Sequence, residues 1–88
     1  MAAIAAAVDR VVTWDATAVP AGATQVESFT VSGLRAGWPV VVNKLVRDTG
    51  LYIIETQCPS ANTVEVTFFN PTGAEINPAS QSFRVLQP

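Results

Sequence analysis

The stretch ANTVEVTFFNPTGAEINPA (residues 61–79) decides the fold class. Its first half alternates valine and phenylalanine with polar residues, which is the period of two expected of a half-buried β-strand. Pro71 and Pro78 follow in the second half. Because proline donates no backbone hydrogen bond, these residues end one strand and delay the next. The connection is typical of a chain that crosses from one sheet to another, although its length also suits a solvent-facing loop.

Five more segments carry the β-branched and aromatic residues that favour strands. With the strand in the first stretch they make six predicted strands: residues 10–14, 24–31, 39–44, 51–57, 62–69 and 81–86. Turn segments separate them, in which Gly33, Gly37, Gly50 and Gly73 can supply positive φ angles. This spacing predicts an all-β domain, a small antiparallel β-sandwich or barrel of about six strands.

The predicted core comes from apolar positions that share a face within these strands. They are Val11, Phe29, Val31, Val41, Ile53, Val64, Val66, Phe68, Phe83 and Val85.

The first ten residues, MAAIAAAVDR, are rich in alanine, and their two large apolar side chains are Ile4 and Val8. A helix this short is marginal in water. We therefore predict an N-terminal arm over residues 1–10, extended or briefly helical and ordered by contact with a neighbour, and a single β-domain over residues 11–88. The alternative is a frayed terminus. The segment has neither the basic region of a secretory signal nor the length of a membrane span, so we expect a cytoplasmic protein with no membrane partner.

The composition favours association. Of the 88 residues, 49% are hydrophobic and 14% are charged, against about a quarter charged in an ordinary soluble domain. A chain of this length also buries a marginal core on its own. We therefore expect a homo-oligomer or a protein partner. The net charge of −2 and the scattered basic residues argue against nucleic acid, which requires a basic patch.

The residues that usually carry catalysis or bind metal are scarce. The sequence contains no histidine, which excludes Ser-His-Asp and Cys-His arrangements and the usual zinc sites. The seven acidic residues do not follow the spacing of a calcium loop, and no phosphate-binding loop is present. The single Cys58 is predicted to be a small apolar residue at a strand end. We expect no enzyme activity, cofactor or metal, although a distant pair of carboxylates, as in glycosidases, stays open at this level.

The aromatic residues Trp14, Trp38 and Tyr52 are the side chains best able to stack on a flat ligand such as a sugar. We favour a structural interpretation, in which Trp14 belongs to the core and Trp38 lies at a barrel end or in an interface. Trp38 lies between Gly37 and Pro39 in a predicted turn, so it is the more exposed of the two tryptophans.

Two long segments resemble a pattern found in small structural proteins of phages. The segment TWDATAVPAGATQVESFTVSGLRAGWPVVVNK (residues 13–44) contains Trp-Asp, a polar stretch, a strand ending in Val-x-Gly-Leu, and Gly-x-x-Val-x-Val-Asn-Lys. The segment LYIIETQCPSANTVEVTFFNPTGAEINPASQSFRVL (residues 51–86) matches the rest of the pattern at Ala61, Asn62, Thr63, Val64, Val66, Phe68, Asn70, Thr72, Gly73, Pro78, Ala79 and Phe83. Trp38 departs from the pattern, in which an acidic residue is commoner there, and so marks a candidate site-specific contact.

The resemblance implies a virion protein of a tailed phage, and among these a capsid decoration (cement) protein. Such proteins are small and mostly β, bind in many copies to the outside of the expanded head, and are frequently trimers at local three-fold positions. The implied partners are the major capsid protein and other copies of the chain, and the implied location is the capsid surface of the virion, after assembly in the host cytoplasm. Candidate contacts with the capsid or with another copy are Ile4, Val8, Trp38 and Tyr52.

Other functional classes stay open at the sequence level. One alternative is a carbohydrate-binding module, which would use Trp14 or Trp38 as a stacking platform, and another is a β-module associated with a tail or fibre. A host-directed regulator or inhibitor is a third hypothesis, since a small phage product can have such a role.

Overall fold

A computed structural model describes residues 8–45 and 50–87. Six antiparallel strands are present in these ranges: β1 (Val8–Trp14), β2 (Thr24–Thr30), β3 (Val41–Lys44), β4 (Tyr52–Ser60), β5 (Thr63–Phe69) and β6 (Gln81–Gln87). They form two three-stranded sheets, with the strand orders β1-β6-β3 and β2-β5-β4. The predicted all-β class is confirmed, and each of the six predicted segments overlaps one strand. The described part of the chain contains no helix long and apolar enough to cross a membrane.

The two central strands supply the middle of the core. Val64, Val66 and Phe68 of β5 are fully buried, and Phe83 and Val85 of β6 are buried with them. The rings of Phe68 and Phe83 meet edge to face with their centroids 6.3 Å apart. The sheets therefore pack face to face as a small sandwich, and the period-two pattern in both strands points one set of side chains inward.

Most of the predicted core residues are buried or pack against the core. Those that are buried are Val31, Val64, Val66, Phe68, Phe83 and Val85, and those that are half-buried against the core are Phe29 and Ile53.

Val11 and Val41 were predicted to be core residues, and this was wrong. Their exposed fractions are 62% and 54%. Each has an apolar neighbour in its own strand, and it is that neighbour, Val12 in β1 and Val42 in β3, that faces the core. Because successive side chains of a strand point to opposite faces, assigning one valine to the core places the next one outside.

The predicted boundary between arm and domain also changes. β1 begins at Val8, so residues 8–10 belong to a strand and are not part of an arm or a helix. Val8 is 6% exposed and packs in the core of its own chain. The rest of the predicted arm, including Ile4, lies outside the described residues.

The connection between β5 and β6 does cross from one sheet to the other. Asn70 fixes its start, because this side chain is fully buried and all its polar atoms are hydrogen-bonded. Its Nδ2 donates to the carbonyl oxygens of Val19 (3.0 Å) and Ala74 (2.8 Å), and its Oδ1 accepts from the backbone N–H and hydroxyl of Thr72. Ile76 then exchanges two backbone hydrogen bonds with Val19. The proline-rich connection is therefore anchored at two points.

Candidate functional site

One side of the sandwich is an open seam between the edge strands β3 and β4. Within residues 8–45 and 50–87, each of these strands pairs with one neighbour in its own sheet. Contacts that cross the gap include a hydrogen bond from the hydroxyl of Thr56 to the carbonyl oxygen of Val40 (2.7 Å) and one from Nζ of Lys44 to the carbonyl oxygen of Leu51 (3.3 Å). We call this gap the β3–β4 seam; it is lined by residues 37–44 on one side and 51–59 on the other.

The opposite side of the sandwich, between β1 and β2, is filled by aromatic rings. Trp14 of β1 packs against Phe29 of β2 with their centroids 3.5 Å apart, and it also meets Phe83 at 5.1 Å. Beyond the rings, the carboxylate of Glu27 accepts a hydrogen bond from the backbone N–H of Thr17. These contacts close that side, and they confirm the assignment of Trp14 to the aromatic core.

Three depressions follow one another along the β3–β4 seam. The first, of about 410 Å³, lies between Trp38 and Cys58. The second, of about 250 Å³, lies between Val41 and Ile54, and the third, of about 290 Å³, lies beside Tyr52. The seam is thus a shallow groove that runs the length of β3.

Exposed apolar side chains concentrate on this groove. Among the described residues seven large hydrophobic side chains are exposed, and five of them lie along the seam or next to it: Trp38, Val41, Leu45, Tyr52 and Ile54. Their exposed fractions lie between 47% and 56%. Single exposed apolar residues are common on protein surfaces, whereas a row of them along an unpaired strand edge is typical of an interaction surface.

The predicted contact residues differ in their positions in the structure. Trp38 and Tyr52 are both exposed, and they stand at opposite ends of the seam. Val8 is buried in its own chain, so it is not free to contact a neighbour in this structure. Ile4 lies outside the described residues.

Sequence reasoning missed Val41 and Ile54 as surface residues. The signal was present in the two apolar runs PVVVNK and LYII, because a continuous run places apolar side chains on both faces of a strand. Both strands are edge strands that bury one face, so the other apolar face is left outside.

Trp38 is held in place by the loop between β2 and β3. The guanidinium carbon of Arg35 lies 4.3 Å from the centroid of the indole, which is a cation–π arrangement. Arg35 is itself fixed, because its backbone N–H and carbonyl oxygen are bonded to the side chain of the buried Gln87 at 2.7 and 3.0 Å. The exposed indole is therefore presented by an anchored loop.

The strand β4 is irregular, whereas β3 is regular over its four residues. The register of β4 against β5 shifts between Ile53 and Glu55, which leaves Ile54 as the extra residue of a bulge. A second shift follows near the end of the strand, where Pro59 has no N–H to donate. β3 pairs with β6 without a shift. Bulges and prolines protect strand edges against pairing, so β3 is the edge better able to accept another strand.

Other polar features of the described residues are structural. No group of three or more His, Cys, Asp or Glu side chains that could hold a metal is found within residues 8–45 and 50–87. Cys58 is buried near the end of β4, and its thiol donates to the carbonyl oxygen of Ser60. On the outer face of the first sheet, Arg84 makes a two-point ion pair with Asp9 at 2.7 and 2.9 Å. The hydrogen bond from Arg84, aided by its charge, holds the pKa of Asp9 below its ordinary value.

Comparison of this chain with protein-family models, with curated proteins and with solved structures gives no match.

Proposed function

We propose that this protein is a capsid decoration (cement) protein of a tailed phage, which binds the outside of the phage head and stabilises contacts between major capsid subunits. The observation that carries the proposal is the row of exposed apolar side chains along the β3–β4 seam, with Trp38 and Tyr52 at its ends. The resemblance over residues 13–44 and 51–86 supports the same function. The proposal assigns no role to catalysis, a cofactor, nucleic acid or a membrane.

The chemistry of the seam suits a protein partner. Aromatic side chains are enriched at the centres of protein interfaces and contribute much of their binding energy. An unpaired strand edge adds backbone hydrogen bonds when an extended segment of a partner lies against it. Each such contact contributes a modest binding free energy. A decoration protein binds in many symmetry-related copies and as an oligomer, so multivalency would make the total attachment strong.

The experiment is a binding measurement on expanded heads that lack the protein, taken from the phage that encodes it. The full chain is compared with Trp38→Ala, Tyr52→Ala and the control Val26→Ala. The exposed fraction of Val26 is 55%, close to the 56% of Tyr52. Val26 lies on β2, however, which is away from the seam. We expect the two seam variants to bind about tenfold or more weakly, as loss of an interface aromatic does, and the control to bind as the full chain. Absence of binding by the full chain, or equal binding by all four proteins, would contradict the proposal.

A carbohydrate-binding module is the second candidate. The exposed indole of Trp38 beside Gln57, in the largest of the three depressions, favours it. Against it, Arg35 covers one face of that indole, and Trp14 is part of the aromatic core. Saturation-transfer NMR with soluble glycans separates the two functions, because sugar stacking would give signal transfer that is lost in Trp38→Ala.

A further inference from the structure

We propose that the β3–β4 seam binds residues 1–7 of a second copy of this chain, which add to β3 as an extra strand. The inference rests on the self-association in the proposed function and not on the capsid. Self-association is measured on the purified protein, so failure of this inference and failure of capsid binding are distinguishable.

The seam has the geometry to accept a strand. β3 is bonded to β6 along one edge, and its register is regular to Lys44. Its other edge faces the depressions between the two sheets. A segment of seven residues spans about 23 Å when extended, so it is long enough to pair with all four residues of β3 (Val41–Lys44) and to extend beyond both ends of that strand. An added strand would pair with the backbone of β3 and cover Val41 and Ile54 in the middle of the seam, and Trp38 and Tyr52 at its two ends would stay available to the capsid.

The sequence of residues 1–7, MAAIAAA, has small and apolar side chains, which suit the exposed apolar side chains along this groove. The segment has no charged side chain, and five of its seven residues are alanine. Small side chains suit a gap lined by two edge strands. In an extended chain Ala2, Ile4 and Ala6 share one face. This arrangement places the single branched side chain in the middle of the segment, opposite the central depression between Val41 and Ile54.

The path of the chain points to a neighbour and not to the same copy. β1 begins at Val8, where it pairs with Gln87, and β6 separates β1 from β3 within the sheet. Val8 of β1 and Val41 of β3 pair with neighbouring residues at the same end of β6, so a segment that kept the direction of β1 would leave its own sheet and would have to reverse direction to enter its own seam. Residues 1–7 contain no Gly, Pro, Asn, Asp or Ser, the residues that favour chain reversal. Exchange between copies requires no reversal.

The first test places a photo-crosslinking residue, p-benzoylphenylalanine, at position 4 of the full chain. Unlabelled protein carrying this residue is co-refolded with ¹⁵N-labelled natural protein, irradiated and analysed by mass spectrometry. We expect crosslinks from unlabelled position 4 to labelled peptides from residues 36–45 or 51–60. Crosslinks confined to the same chain, crosslinks to β1 or β2, or the absence of crosslinks between copies would overturn the inference.

The second test uses two matched full-length variants, Ile54→Glu and Val26→Glu. Ile54 and Val26 lie on strands of the same sheet, and their exposed fractions are 56% and 55%. Because both side chains are exposed, both variants leave the core intact. We expect Ile54→Glu to raise the dissociation constant of self-association by about tenfold or more, and Val26→Glu to leave it unchanged. Sedimentation equilibrium measures both. Equal weakening in the two variants, no effect of Ile54→Glu, or a full chain that is monomeric at micromolar concentration would overturn the inference.

Discussion

Asn70 is the residue on which the connection between β5 and β6 depends. Asn70→Ala would remove four hydrogen bonds, among them the buried one to the carbonyl oxygen of Val19. We expect the free energy of unfolding to fall by about 2–4 kcal/mol, the range for breaking a buried polar network. Urea unfolding measures the loss. The control is Asn77→Ala in the same connection, where the side chain is exposed; a similar loss in both variants would contradict this role.

The ion pair between Asp9 and Arg84 gives stability a defined pH dependence. The hydrogen bond from Arg84 lowers the pKa of Asp9 from its ordinary value of 3.8. The folded state therefore favours the ionised carboxylate, so the stabilisation is complete above that value and is lost as the pH falls through the lowered pKa. Because the pair is exposed, we expect a small effect that salt reduces.

The measurement is a double-mutant cycle of Asp9→Asn and Arg84→Gln. The free energy of unfolding of the natural protein, the two single variants and the double variant is measured with urea from neutral to acidic pH. The coupling between the two residues should be present at neutral pH and should vanish at the acidic end. A coupling that stays constant as the pH falls below 3.8 would show that the charge of Asp9 contributes nothing.

At the scale of elements, the six strands were predictable because their signals are local. A period of two and the turn residues between strands are properties of short segments. Where apolar residues are adjacent, the local sequence does not decide which side of the strand faces the core. The assignments of Val11 and Val41 failed for this reason, because pairing with β6 decides which valine of each run points inward.

Gly50, just before β4, packs closely against the connection that follows β5. It has a φ angle of +84°, and a Cβ there would lie 2.6 Å from Cγ2 of Thr72 and 3.3 Å from Cδ1 of Ile76. We expect Gly50→Ala to lower the free energy of unfolding by about 1–3 kcal/mol, through backbone strain and steric overlap. Gly73→Ala is the control, because a Cβ at that position meets nothing within 4 Å. Thermal unfolding of the two variants checks this, and equal midpoints would contradict it.

For the whole molecule, the candidate site was predictable only in part. Trp38 and Tyr52 were named as candidate contacts because aromatic side chains can stack on a partner, and both are exposed. The groove between them was not predictable, because it exists only where β3 and β4 are the edges of two different sheets. Strand order depends on contacts between distant segments, and no single segment of the sequence carries it. Val8 was predicted as a candidate contact, and its burial in its own chain depends on packing against residues distant in the sequence.

The central claim is that many copies of this chain coat the outside of a phage head. If the proposal is correct, a tailed phage encodes this chain, and cryo-electron microscopy of the purified virions of that phage tests the claim most directly. We expect density for a six-stranded sandwich at repeated positions on the outer capsid surface, with the side that carries Trp38 and Tyr52 against a capsid subunit or another copy. Density for the sandwich in the tail only, or its absence from purified virions, would contradict the claim.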